Sequence, residues 1–491
     1  MGTDSLVLAL ALIGIVIVVS ALLSGLVDRS GLPQVAVFIC LGAALGPAGL
    51  GVFDMTLESP VVRVVATLSL TLVLFTDAVT LSIAEVRRYG RLAFRMLGPG
   101  TLLCTALTAL AAWWLLDVPP ASAAILGAAL ASTDPVLLRG LLRRSDISLE
   151  TRHALRLESG LNDAVLLPII VVALALVGHH IQSTGTFAKM GFGLFILGPG
   201  AGVAVGLIGV SALDLIRKKI GVRRDYESLY SLGVAFSAFA AAEAVHGSGF
   251  LAAFAAGLTI AALDVELCDC FIEYGGVTAE MLLLFTFVIF GSSLIWSGFQ
   301  VLNASTIVFA VFVVLIRVPV YLISLLGSNV DRRGRLLIAW FGPRGLSSLL
   351  LILLAVFAGL PGSDRLFAIC SLIVLISVVI HGAAPMLLTR FSKKVETEGP
   401  PAPSEIPKES RSLPIVESPQ SVGAQSVTLE ELDQLQQSGD EVVILDVRTD
   451  RSRDTSDQQA QGSVRMPPEN VVAQARERKL PKEAWLIAYC A

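Results

Sequence analysis

Charged residues are scarce in this chain. Asp, Glu, Lys and Arg make up 15% of its 491 residues against 54% hydrophobic ones, with five histidines and a mean hydropathy of +0.76. Soluble domains carry about 25% charge, so most of the length is excluded from being a water-soluble fold. Apolar runs of about 20 residues instead suit membrane-crossing helices. Cysteine is sparse too. Cys40, Cys104, Cys268, Cys270, Cys370 and Cys490 are mostly isolated in apolar stretches and supply no disulfide framework. The Cys268-x-Cys270 pair has no second pair or histidine nearby to complete a metal site. The N-terminal stretch lacks the basic n-region and A-x-A-type cleavage site of a secretory signal. With a net charge of −4, no nucleic-acid partner is expected.

The charge that is present is unevenly placed. Residues 1–394 hold 26 Lys/Arg and 23 Asp/Glu, a net of +3, whereas 395–491 hold 10 and 17, a net of −7. Thirteen apolar segments can be marked, at about 5–27, 34–50, 61–80, 95–116, 121–139, 155–177, 191–216, 226–245, 248–263, 281–295, 304–326, 336–358 and 366–389. Alternate loops carry the basic residues: 21 fall on one side, including Arg87, Arg88, Arg143, Arg144, Lys218, Arg332 and Lys393, and three (Arg63, Lys189, Arg365) on the other. The positive-inside rule then places the N-terminus outside and the tail in the cytoplasm. Gly198, Gly202 and Gly206 recur at the four-residue spacing that lets helices approach closely.

Three polar interruptions fall at one depth. In span 5, "ASTDPVLL" places Thr133 and Asp134 before Pro135, and in span 12, "FGPRGLSS" surrounds Pro343 and Arg344 with Gly342 and Gly345. Proline removes a backbone donor and disfavours helix at the preceding residue, so both spans should be broken near the midplane. Backbone irregularity at that depth survives only where it lines protein or a cavity, the usual form of a transporter's ion site. If spans 4–6 and 11–13 are inverted repeats, the breaks cross, and Asp134 can offset the positive helix ends while Arg344 offsets the negative ones. Span 6 carries "LRLESGLNDAVLLP", in which Glu158, Ser159, Asn162 and Asp163 share a helical face. Glu158 is expected to reach Arg344 as an ion pair. That leaves Asp163 without a fixed cationic partner, free to hold a proton or an alkali cation with oxygens from Ser159, Thr133 and water. Arg317, before Pro319, can balance a carboxylate or face a domain interface. Glu243 and His246 suit either a pH-tuning or a helix-end role, His381 is expected to be packed, and the exterior pair His179 and His180 argues poorly for metal.

"STDP", "LESGLND" and "GPRG", with "HGSGFLAAFAAGL" at 246–258, resemble the monovalent cation/proton antiporter family of prokaryotic sodium/proton antiporters over about residues 5–390. The resemblance implies an all-α polytopic protein of thirteen transmembrane helices with inverted repeats and crossed broken helices in spans 5 and 12. It also implies a core and a dimerisation domain, a homodimer in the prokaryotic plasma membrane, and elevator-type exchange of Na+, or of Li+ or K+, for H+. By position Asp163 would bind cation or proton in turn, and Asn162 would sit where electroneutral exchange is set. Ser159, Thr133 and Asp134 would complete the site, Glu158 and Arg344 would form a structural pair, and no cofactor is required. In place of a glutamate common in span 3 of relatives, "LFTDAV" has Thr76 followed by Asp77, whose carboxylate would substitute for it.

Beyond a Pro/Ser/Glu-rich linker at 395–424, residues 425–491 resemble part of an α/β rhodanese-like domain. A helix precedes the strand Val442–Val447, and a second strand, Trp485–Tyr489, leads to Cys490 in the position of the persulfide-carrying cysteine. The loop that would wrap that sulfur is missing, so the thiol has no activating cradle and no sulfurtransferase activity is expected. A membrane-anchored sulfurtransferase or sulfur sensor is the alternative reading. An anchor, however, needs neither a polar face in span 6 nor broken helices.

Overall fold

A computed structural model describes residues 34–52, 55–81, 83–142, 147–177, 189–220, 224–263, 276–396, 442–447, 462–466 and 485–489, with a few isolated positions besides. The chain divides into two compact units, residues 1–400 and 401–491, each taken by itself.

The first unit is helical. In chain order its described helices are α1 (Gln34–Leu45), α2 (Pro60–Val79), α3 (Ile83–Arg95), α4 (Leu103–Leu116), α5 (Pro120–Ala131), α6 (Pro135–Leu142), α7 (Leu149–Val177) and α8 (Gly198–Lys219). They continue with α9 (Arg224–Ala244), α10 (Gly249–Leu263), α11 (Gly276–Ser292), α12 (Ala304–Ser324), α13 (Arg332–Trp340), α14 (Leu346–Phe357) and α15 (Ser363–Glu396). Local chemistry sets many of the boundaries. Pro60 and Pro120 start α2 and α5, where a missing N–H costs nothing. Asn303 and Asp331 cap α12 and α13 by accepting from the N–H groups of Thr306 and Gly334 at 2.8 and 3.2 Å. Pro99 sits in a π-helical turn, Met96–Leu102, that joins α3 to α4 without ending the helical path.

Among the described residues seven helical stretches are long and apolar enough to cross a membrane, and the bent pair Thr278–Ser292 with Leu294–Val301 adds an eighth. Shorter apolar helices, such as Gln34–Leu45 and Leu346–Phe357, account for other marked segments. Each apolar segment from 34–50 to 366–389 falls on a helix or a broken pair, while 5–27 lies almost wholly outside the described residues. The glycine stripe holds α8 against α10: a Cβ at Gly202 would meet the Ala252 backbone.

The two interrupted spans lie where packing is densest. From Ser122 onward α5 is buried at nearly every position, and α14 is buried from Leu346 through Leu353. Both are apolar all round, as a helix enclosed by other helices must be. Phe38, Leu74, Ile170, Phe287, Phe290 and Phe367 belong to the apolar cluster enclosing them. The surroundings therefore fix the broken ends that α5 and α14 present to one another.

In the second unit, parallel strands β1 (Val442–Asp446), β2 (Val464–Arg465) and β3 (Trp485–Tyr489) form a sheet in the order β2-β1-β3. The two longer strands fall on the segments Val442–Val447 and Trp485–Tyr489 read as strands from the sequence. Cys490 lies outside the described residues, as do most of the linker, the Cys268 and Cys270 pair, and His179 and His180.

Candidate functional site

Both proline-interrupted spans are broken, and the breaks meet. Helix α5 ends at Ala131 and Ser132 turns extended (φ −62°, ψ 140°), so 132–134 run free of helix until Pro135 opens α6. Residues 341–345 likewise separate α13 from α14. The extended pieces are bonded to each other, the Asp134 N–H donating to the Pro343 carbonyl at 2.9 Å. Asp134 caps both positive ends at once: Oδ1 accepts from the Val136 N–H of α6 at 2.8 Å and Oδ2 from the Leu346 N–H of α14 at 2.7 Å. Arg344 serves the negative ends, its Nε donating to Leu130 O of α5 at 2.8 Å and its Nη1 to Gly342 O. The approach tolerates no side chain at two glycines. A Cβ at Gly345 would run into the Asp134 carboxylate, and one at Gly342 into the Arg317 guanidinium.

Because the Arg344 guanidinium is occupied by helix ends, it does not pair with Glu158, and that expectation is corrected. Glu158 pairs with Arg317 of α12. The two nitrogens Nη1 and Nη2 reach Oε1 and Oε2 at 3.1 and 3.0 Å in a bidentate contact, with both residues at most 2% exposed. Tyr321, one turn along α12 from Arg317, donates its hydroxyl to Glu158 Oε1 at 3.0 Å, and the guanidinium stacks 3.8 Å above its ring. Thr101 of the π-helical turn is 3.0 Å from the same phenol oxygen. Arg317 Nη2 also holds the Ile338 carbonyl near the end of α13 at 3.2 Å. Sequence spacing named Arg317 as a possible balance to a carboxylate without choosing which. Tyr321 was missed, although it lies at i+4 from Arg317.

From there the 132–134 strand runs antiparallel to α7 and meets it residue by residue. Thr133 Oγ1 donates to Glu158 Oε1 at 3.2 Å and accepts from Asn162 Nδ2 at 2.6 Å. The Thr133 proton is committed to Glu158, so Asn162 must present its NH2 to Thr133 and leave its oxygen free. Ser132 Oγ donates to Asp163 Oδ1 at 2.5 Å. Asp163 is 1% exposed, and its Oδ2, like Asn162 Oδ1, has no hydrogen-bond partner among the described residues. The structure thus brings Thr133, Asp134, Glu158, Asn162 and Asp163 together. Ser159 is buried in the same turn, but its hydroxyl donates to Arg156 O of its own helix at 3.2 Å.

The remaining candidates lie further out. Asp77 of α2 is buried beside Gly160, one turn from Asp163 along α7, with Thr76 next to it. Glu243 accepts from the Gly249 N–H at the start of α10 at 3.0 Å, and His246 occupies the left-handed turn between α9 and α10 at φ 58°. His381 of α15 is buried as expected, yet it also closes on the α13–α14 break, with Nε2 3.2 Å from the Trp340 carbonyl and Nδ1 3.1 Å from Ser377 Oγ. Ser377 in turn accepts from the Arg344 N–H at 2.7 Å.

Two helix breaks bonded to each other, with a buried, incompletely satisfied carboxylate beside them, are the mark of a secondary ion transporter. The match of the transmembrane sodium/hydrogen exchanger family to residues 15–389 shows that the chain belongs to that family. It is similar to the K+/H+ antiporter NhaP2 of Shewanella sp. strain MR-4, 26% identical over 396 residues that cover 79% of this chain and 67% of the relative. It is also similar to the K+/H+ antiporter NhaP of Alkalimonas amylolytica, at 24% identity, with coverage of 83% and 69%. Its fold is that of the sodium proton antiporter MjNhaP1 of Methanocaldococcus jannaschii, with a TM-score of 0.64 at 19% identity over 80% of this chain and 99% of that one. The chain is accordingly a multi-pass membrane transporter of the cation/proton antiport class, not an enzyme.

Proposed function

We propose that this protein exchanges one monovalent cation for H+ at Asp163, which holds cation and proton in turn as the site alternates between the two sides of the membrane. The observation that carries this reading is the contrast within one helix. Glu158 has its carboxylate saturated by Arg317, Tyr321 and Thr133, whereas Asp163 has only the hydroxyls of Ser132 and Ser347 beside it, no cation, and an Oδ2 that meets no hydrogen-bond partner among the described residues. A carboxylate taken out of water with neutral donors alone gains from any cation that reaches it. Two cations competing for one such group are coupled by exclusion, and Asn162 beside it adds no charge to the exchange, which supports electroneutral transport.

The cargo is Na+ or K+, with Li+ as a third candidate. Relatives named for K+ and a structural neighbour named for sodium support testing the first two. Around the site we propose thirteen crossings over residues 1–394, with the N-terminus outside and the tail cytoplasmic, working as a homodimer by elevator-type movement. Residues 395–424 would be a linker, and 425–491 a rhodanese-like segment. Proteoliposomes carrying an imposed proton gradient test the central claim. Addition of Na+, K+ or Li+ should dissipate the gradient, and without building a membrane potential. A folded protein that leaves the gradient intact with all three cations would end the antiport reading.

A further inference from the structure

Ser132 stands at the point where α5 gives way to extended chain, fully buried, and its hydroxyl reaches Asp163 Oδ1 at 2.5 Å. The serine of span 6 does not share this place, since Ser159 spends its proton on the Arg156 carbonyl. Having donated to Asp163, Ser132 Oγ keeps lone pairs that no other described group takes up. Two further oxygens in the same layer are buried without partners, Asp163 Oδ2 and Asn162 Oδ1, and Asn162 is held in that orientation by Thr133. The antiparallel register of 132–133 against 162–163 therefore collects a carboxylate oxygen, an amide oxygen and a hydroxyl oxygen, one charge and two dipoles. That is the hard-oxygen set an alkali cation exchanges for its hydration shell.

We propose that Ser132 is a specificity-determining ligand: its hydroxyl joins Asp163 Oδ2 and Asn162 Oδ1 in holding the transported cation and sets which alkali ion is preferred. The proposal rests on the antiport reading and deepens it. As a cation enters, Ser132 keeps its proton on Asp163 Oδ1 and turns a lone pair to the ion, so no proton need leave the serine. A neutral hydroxyl matters most to the ion that gives up water least readily, the smallest one. A proton needs no such ligand. Losing the hydroxyl therefore weakens the cation against its competitor.

The test is Ser132→Ala in proteoliposomes, with Ser132→Thr as the variant that keeps the hydroxyl. Ser132→Ala should raise the apparent KM for Li+ and Na+ about tenfold and for K+ less, with the maximal rate within about threefold of the parent. Its activity profile should move to the alkaline side, because the proton now competes better. Ser132→Thr should restore the parent order of cations. Unchanged KM ratios in Ser132→Ala, or a fall in maximal rate alone, would overturn the proposal, and a KM increase found in Ser159→Ala instead would transfer the role to that residue. If Ser132→Ala does not assemble, Ser132→Cys makes the same comparison with a near-isosteric, softer ligand. A second readout is independent of transport: alkali chlorides should raise the Tm of detergent-solubilised parent more than that of the variant. Equal shifts would sink the ligand claim even if exchange is confirmed. A larger shift in the parent, with no exchange in either protein, would uphold the ligand and leave only the antiport reading refuted.

Discussion

Five residues of one helix separate two carboxylates in opposite conditions. Around Glu158, four donor atoms on Arg317, Tyr321 and Thr133 converge on two oxygens, and those donors come from α12 and the 132–134 strand. Around Asp163 there are only neutral hydroxyls, from Ser132 and Ser347, and an Oδ2 with no hydrogen-bond partner among the described residues. Both groups are buried, so exposure does not explain the difference. What separates them is how completely the surroundings replace water. A charge that is fully replaced is fixed in place and becomes part of the scaffold. One that is only half replaced is held at a cost, which a proton or a cation can relieve. The same helix can therefore supply a rivet and a titrating group within about 8 Å along its axis.

The sharpest way to break this contrast is at the bare end. Asp163→Asn removes the competing charge and should lower coupled exchange at least a hundredfold in liposomes. The amide keeps the shape, so Tm in detergent should stay near that of the parent or rise. Coupled exchange retained within tenfold would place the ion elsewhere.

At the saturated end the loss should appear in folding. Removing one member of a buried ion pair leaves the other charge unpaired and costs about 3–5 kcal/mol. Arg317→Met and Glu158→Leu should each give markedly lower Tm and yield, while the double variant recovers a large part of either loss. Purely additive losses in that cycle would mean that the pair carries no coupling. A smaller effect, about 1.5–3 kcal/mol, is expected for Arg344→Met, because it strips charged hydrogen bonds from the Leu130 and Gly342 carbonyls without stranding a carboxylate. Arg344→Met falling as far as Arg317→Met would blur the distinction between the two arginines.

That distinction is also where sequence reading met its limit. Pro135 and Pro343 act on their own backbones, so the two breaks were legible, and so was the charge each break needs, with Asp134 at the positive ends and Arg344 at the negative ones. The shared face of Glu158, Asn162 and Asp163 followed from helical spacing alone. Which arginine meets Glu158 depends on how α12 packs against α7, far apart in the chain, and no local rule encodes it. Reach alone made Arg344 plausible, until its guanidinium proved to be committed to helix ends. Ser132 escaped notice because Thr133 and Asp134 drew attention within the same four letters. Its role depends on the extended ψ that carries the strand past Asp163. Leu346–Phe357 is short because the break at 341–345 divides its span from Arg332–Trp340.

The smallest effect should come from His381, at the outer rim of the same network. Its ring bridges several groups: Nδ1 lies 3.1 Å from Ser377 Oγ, which accepts from the Arg344 N–H, and 3.2 Å from the Ser377 carbonyl, while Nε2 lies 3.2 Å from the Trp340 carbonyl. The ring thus ties Trp340, before the α13–α14 break, to Arg344 within it, and it touches neither Asp163 nor Glu158. His381→Phe keeps the ring packing beside Trp340 and Phe341 but frees one helix-end carbonyl and one hydroxyl, a loss of about 1 kcal/mol. Tm should fall slightly, exchange should persist within a few-fold, and His381→Gln, which can still donate to the carbonyl, should lie between the two. If His381→Phe instead abolished exchange with Tm unchanged, the histidine would belong with Asp163 on the working side of the contrast rather than with Glu158 on the structural one.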